Sequence, residues 1–159
     1  SEMCIRDRHE IASGFNSNGI RVKFDFILGS GYNHKFPCTD SNLGITVVQD
    51  VARVTEYMKH ADLAFSSQGR TTFELATMGV PAVVLAQNER EQLHPFAQMD
   101  NGFINLGLGT EVSNEDICQT LDWLVKSPSI RKEMHHLMLQ NDLKSGIKRV
   151  KRILLGELD

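Results

Sequence analysis

Long apolar runs are missing from this 159-residue chain, and nothing in it approaches the roughly 20 consecutive apolar residues of a membrane-spanning helix. The expectation is a soluble domain without a transmembrane segment. Strong charge of one sign is missing too: 17 Lys and Arg stand against 20 Asp and Glu, a net −3 that gives no electrostatic case for nucleic acid as the main partner. Cysteine is sparse. Cys4, Cys38 and Cys118 are odd in number and form no C-x-x-C pair, which argues for free thiols in a reducing, cytoplasmic compartment, with a small buried apolar role as the plainer reading of each. Metal-binding patterns are lacking: there is no D-x-D pair to hold a divalent ion on a diphosphate. His135 and His136 are adjacent and would point about 100° apart on a helix, and His9, His34 and His60 are isolated. No metal and no cofactor are expected. Ser66 and Ser67 lack the G-x-S-x-G frame of a nucleophile elbow. There is also no initiator Met and no signal-peptide pattern, so the chain reads as the middle of a longer protein, with residues 1–8 partly vector-derived.

What is present is ordinary globular composition, 41% hydrophobic and 23% charged, in a length that suits a single domain over residues 1–159. The pattern along the chain alternates. A helix is expected near Arg6 to Asn16, with Ile5, Ala12 and Phe15 inward, then a strand over Arg21 to Leu28, a loop Gly29-Ser30-Gly31-Tyr32, and a β-branched strand Ile45 to Val48. Val51, Val54 and Met58 mark a short helix. Strand Leu63 to Phe65, helix Thr71 to Met78, strand Ala82 to Leu85, helix Glu89 to Asp100 and strand Phe103 to Leu106 follow with short loops. This rhythm predicts an α/β, Rossmann-like parallel sheet flanked by helices, whose strand-to-helix loops share the edge where ligands bind. The last third is helical: Ser113 opens a helix with Ile117, Leu121 and Leu124 on one face, and Leu143, Ile147, Val150 and Leu154 repeat at helical spacing. Lys144, Lys148, Lys151 and Arg152 fall on other faces, read first as solvated and second as a surface for an acidic membrane or nucleic acid.

The richest stretch runs from Ala61 to Gln92. An apolar strand passes through Ser66-Ser67-Gln68-Gly69-Arg70 into a helix that begins Thr71-Thr72-Phe73-Glu74. The first N–H groups of such a helix lack partners, and together with the helix dipole they attract an anion. Gly69 allows close backbone approach, Thr71 and Thr72 add hydroxyls, and Arg70 adds a bidentate fork. Glu74, one turn further in, either complements the dipole or accepts from both hydroxyls of a ribose. Two more strand exits, Gly29 to Tyr32 and the polar run Gln87 to His94, are expected at the same edge. In the latter, Asn88, Gln92 and His94 could read a base, a ribose or a sugar hydroxyl, while Glu89, Arg90 and Glu91 could equally be a solvated helix turn.

These residues carry a resemblance. Ala61-Asp62-Leu63-Ala64-Phe65, Gly69-x-Thr71-Thr72-x-Glu74-Leu75-Ala76 and Gly79-Val80-Pro81 resemble the donor-binding C-terminal half of GT-B nucleotide-sugar enzymes. Among these are the lipid II N-acetylglucosaminyltransferase MurG and the UDP-sugar hydrolase of pseudaminic acid biosynthesis. Gly29-Ser30-Gly31-Tyr32 looks like that hydrolase and its spore-coat polysaccharide relatives. Ala86-Gln87-Asn88-Glu89-Arg90-Glu91 with His94-Pro95-Phe96-Ala97 is similar to GT-B-like domains fused to CMP-sugar cytidylyltransferases. The likeness covers roughly Val22 to Leu108. It implies that Glu74 holds the ribose of a uridine nucleotide, that the turn Gly69 to Thr72 meets the diphosphate, and that a glutamine near Gln92 contacts the donor sugar; Ser67 and Gln68 beside the turn, and His94 with Gln92 at the sugar, join the candidate binding residues. It also implies a partner: an N-terminal half carrying the acceptor site and catalytic base. Gln68 and Arg70 depart from the usual double glycine and small residue, which points to a tighter pocket or a different anion.

The resulting expectation is the donor half of a metal-independent glycosyltransferase or nucleotide-sugar hydrolase of surface polysaccharide or nonulosonic acid biosynthesis, inactive or weakly active alone, with homo-oligomerisation left open. In that reading Arg70 and the helix N–H groups would stabilise charge on the leaving diphosphate. Two alternatives stand beside it: a complete small hydrolase with His94 or His34 as general base, and a non-catalytic interaction module with a vestigial pocket.

Overall fold

The fold is taken from a computed structural model that describes residues 11–12, 22–32 and 39–157. Strand β4 (Ala82–Ala86) is the centre. All five of its residues are buried, as a strand covered on both faces requires. It pairs in parallel with β3 (Ala64–Ser67) on one side and β5 (Phe103–Leu108) on the other, in register Ala64↔Ala82 and Ala82↔Phe103. Because side chains alternate along a strand, Ala82 and Val84 point to one layer and Val83 and Leu85 to the other. The first layer holds Leu75, Ala76, Val80, Phe103 and Met138. In the second, Val83 meets Ile104, Leu124 and Met134, and Leu85 meets Ile117 and Leu121.

The helices supply those residues. α2 (Thr71–Met78) buries Leu75 and Ala76 and ends at Gly79, whose φ of 69° is a left-handed cap that lets its N–H reach Ala76 and the N–H of Val80 reach Leu75. α4 (Asn114–Lys126) starts as expected at Ser113, which accepts from the Asp116 N–H, and buries Ile117, Leu121 and Leu124. α5 (Pro128–Gln140) begins on a proline that lacks only an N–H the first turn does not need, and it buries Met134 and Met138. His135 Nδ1 lies 2.6 Å from the Gly79 carbonyl, tying α5 to the end of α2.

The expected α/β class, parallel strands flanked by helices, is what forms, and several finer expectations are corrected. The strands form two parallel sheets: β1 (Phe24–Leu28) pairs with β2 (Ile45–Gln49), and among the described residues no ladder joins this pair to β3. The two groups meet through side chains, Val22 and Phe24 packing in the same cluster as Leu63, Phe65 and Leu106. The helix foreseen from Glu89 to Asp100 is only α3 (Glu89–Gln92), followed by a 3-10 turn at Met99–Asn101. Pro95 explains the stop, since it disfavours helical geometry at His94 and donates no hydrogen bond itself. The helix after β2 shrinks to α1 (Thr55–Met58), with Met58 buried. β3 runs on through Ser66 and Ser67. The last helix, α6 (Gly146–Leu154), has no buried residue, so Ile147, Val150 and Leu154 face outward and only Leu143 before it packs on the core. The expected helix over Arg6 to Asn16 lies outside the described residues except for Ile11 and Ala12, which are helical and buried.

Candidate nucleotide-sugar site

Parallel pairing sends the exits of β3 and β4 to one edge of the three-stranded sheet. The chain leaves β3 at Ser67, turns through Gln68 and Gly69, and enters α2 with Arg70 already in helical geometry and no side-chain cap. The turn closes on itself. Gly69 C=O accepts from the Thr72 N–H at 3.2 Å and the Thr72 hydroxyl at 2.7 Å, and Arg70 C=O accepts from the Phe73 N–H at 3.1 Å. Among the described residues no hydrogen bond uses the N–H groups of Gly69, Arg70 or Thr71. Three successive donors thus stand open where the positive end of the α2 dipole adds to their pull on an anion. Thr72 is buried with its hydroxyl turned inward, whereas Thr71 is half-buried and Arg70 is exposed.

Glu74 is exposed one turn along, and no hydrogen bond or ion pair among the described residues engages it or the Arg70 guanidinium. Phe73, beside it, stacks on Phe96 with ring centroids 4.4 Å apart, and Phe96 meets Phe103 edge-on at 5.8 Å. That aromatic column fixes the start of α2 against the loop after α3.

The two exit loops are also stitched together by a reciprocal pair. Gln68, 1% exposed, donates from Nε2 to the His94 carbonyl at 2.6 Å, and His94 Nδ1 lies 3.0 Å from the Gln68 carbonyl. A carbonyl only accepts, so Nδ1 carries the proton, and a neutral His94 keeps a lone pair on Nε2, in a side chain exposed to solvent. Gln68 Oε1 is buried without a partner. Glu91, which the sequence offered only as part of a solvated helix turn, has a local role: its Oε2 accepts from the Gln87 N–H at 2.9 Å, and its Oε1 lies 3.7 Å from where a Cβ on Gly69 would be. A carboxylate therefore already stands beside the open donors. The signal available in sequence was only its place four residues after a strand exit. Asn88 acts as the α3 cap, accepting from the Glu91 N–H at 3.0 Å, and Gln92 is exposed, its Nε2 approaching Gly107 at the end of β5.

Gly29, Ser30, Gly31 and Tyr32 leave β1, the other sheet, in an exposed turn with Tyr32 N–H on the Gly29 carbonyl at 3.0 Å. Gln49 of β2 donates to the Tyr32 carbonyl. His34 lies outside the described residues, as do His9, Cys4 and Cys38. Cys118, on α4, is half-buried, and desolvation pushes its thiol up. Among the described residues no helix is long and apolar enough to cross a membrane. Two open concavities, one of about 160 Å³ between Thr77 and Asp142 and one of about 370 Å³ beside Glu111 and Gln119, are not lined by Gly69, Arg70, Thr71 or Glu74.

No family model matches this sequence, and no curated protein does. The fold is shared with the crystal structure of a glycosyltransferase from Rickettsia africae ESF-5, at TM-score 0.54 and 11% identity, over 94% of this chain and 45% of that one. The chain thus spans less than half the length of that protein. The likeness is one of fold, a parallel α/β body.

Proposed function

We propose that the β3–α2 corner binds the diphosphate of a nucleotide-activated sugar, UDP-linked by preference, as the donor half of a metal-independent glycosyltransferase or nucleotide-sugar hydrolase. The observation that carries this reading is the row of open N–H groups at Gly69, Arg70 and Thr71, with the unpaired Glu74 one turn beyond. The fold shared with a glycosyltransferase supports it. In this reading the donors and Arg70 take the phosphate oxygens, Glu74 accepts from the ribose hydroxyls, and Gln92 with His94 faces the sugar. The inward hydroxyl of Thr72 serves the turn, which narrows the anion-facing set to Gly69, Arg70 and Thr71.

Chemistry at such a site consists of holding the donor still and stabilising charge on the departing diphosphate with preset dipoles. A partner half supplies the acceptor and the base. The Glu91 carboxylate beside Gly69 opposes a second anion, so Glu91→Gln strengthens diphosphate binding in this scheme. A second reading has its own observation: the Nδ1 bond of His94 leaves Nε2 as the basic atom, which fits a hydrolase that activates water with His94.

Calorimetric titration with UDP, UDP-N-acetylglucosamine, CMP and CMP-linked sialic acid tests the proposal. Saturable binding of a uridine ligand supports it, binding of a cytidine ligand alone moves it to the other nucleotide, and a folded protein that binds none of them contradicts it. Turnover of a nucleotide sugar by this chain, lost in His94→Ala, would instead establish the hydrolase.

A further inference from the structure

Helix α6 is nine residues, about 14 Å long, and stands on the fold by little more than its base: Leu143 packs on the core, and Asp142 accepts from the Ser145 N–H and pairs with Arg149. Its side chains divide by angle. At about 100° per residue, Ile147, Val150, Ile153 and Leu154 share an arc of about 120°, while Lys151, Lys148, Arg152 and Arg149 fill the rest. The apolar arc is bare, with exposures of 88% at Ile147 and 80% at Leu154. From 142 to 157 five cations face only Asp142 and Glu157, a local +3 within a chain of net −3.

A solvated helix has no use for that arc. A protein interface would hold an apolar patch with a polar rim, usually of mixed charge, whereas the polar face of α6 is cationic throughout, with no acid from Gly146 to Leu154. Apolar residues at the boundary with lysines and arginines beside them reaching to lipid phosphates is the pattern of a helix lying in a membrane interface. We propose that α6 is such an interfacial anchor, laying Ile147, Val150, Ile153 and Leu154 into an anionic bilayer surface with Lys148, Lys151 and Arg152 on the headgroups. The proposal is independent of the nucleotide-sugar reading.

Flotation of the full chain with phosphatidylcholine vesicles, with and without one-third phosphatidylglycerol, tests it. Two variants accompany the wild type: Ile147→Ser with Leu154→Ser, and Lys148→Glu with Lys151→Glu and Arg152→Glu. All five positions are exposed, so melting curves should stay unchanged. The expected result is binding to the anionic vesicles alone, reduced by high salt. The charge variant should bind at least ~100-fold more weakly, from roughly fivefold per cation near an anionic surface, and the apolar variant should also lose binding. No binding by the wild type, or binding that either variant retains, overturns the proposal. So does a dimer seen in sedimentation that the apolar variant abolishes while vesicles are ignored, because the face would then be a protein interface.

Discussion

Two strand exits that look alike in sequence are built differently. Gly29-Ser30-Gly31-Tyr32 after β1 and Ser67-Gln68-Gly69-Arg70 after β3 are both small, polar and glycine-bearing. The first is an exposed turn on a two-stranded sheet, and a Cβ on Gly29 or Gly31 would meet nothing within 4 Å. The second is pinned between layers: Gln68 is buried and tied to His94, Thr72 closes back on Gly69, and Phe73 stacks on Phe96. The difference teaches where preorganisation comes from. A glycine loop becomes a preset donor array when its neighbours are held by the core, because the cost of ordering the loop is then met on folding rather than on binding.

That contrast can be broken at its foundation first. Gly102, at φ 84°, lies against the Met134 carbonyl and has Met138 Cγ 2.8 Å from where a Cβ would be, so Gly102→Ala forces α5 away from β5. Combining left-handed strain with overpacking, the expected loss is about 3 kcal/mol or more, read as a shifted denaturation midpoint. Gln68→Ala comes next. It removes the bond to His94 and opens a buried hole, for roughly 2 kcal/mol, whereas Gln68→Leu loses the same bond and the same orphan Oε1 but fills the hole, and should cost less than Ala. If Ala and Leu destabilise equally, filling the hole is not what matters and the lost stitch to His94 sets the cost. Ser113→Ala, which uncaps α4 behind the sheet, should cost about 1 kcal/mol in the same assay. Gly31→Ala should fall within about 0.5 kcal/mol of wild type, since a surface position free of contacts is being changed. A large effect there would mean that the β1 exit is not the open turn described.

How much of this could be read in advance differs by element. The β3–α2–β4 unit was legible because strand, glycine-bearing turn, helix and Gly79 stop are each local signals that agree with one another. The start of α4 was legible for the same reason, its cap and first-turn acids being adjacent in sequence. The end of α3 was readable in principle from Pro95, but the polar run looked like a helix face. The division into two sheets was not legible, because pairing partners are chosen by packing between distant segments such as Phe24 and Phe65. In the site, the open backbone donors at Gly69, Arg70 and Thr71 followed from chain geometry. The burial of Gln68 and the approach of Glu91 to Gly69 depend on contacts between two loops, 26 residues apart at the Gln68–His94 bond, which no local pattern carries, whereas the inward hydroxyl of Thr72 is a local bond to Gly69 that competes with a ligand for the same group. The outward face of α6 had the periodicity of a packed helix, and periodicity alone cannot say what lies opposite.

The central claim concerns Glu74 as the ribose-holding carboxylate beside an open donor row. Glu74→Ala removes an exposed, unbonded side chain, so its melting curve should match wild type, and titration calorimetry with the preferred nucleotide sugar reads the binding effect directly. The account predicts a loss of about 10- to 100-fold in affinity, the scale of hydrogen bonds to a charged group. Equal affinity in wild type and variant would contradict it.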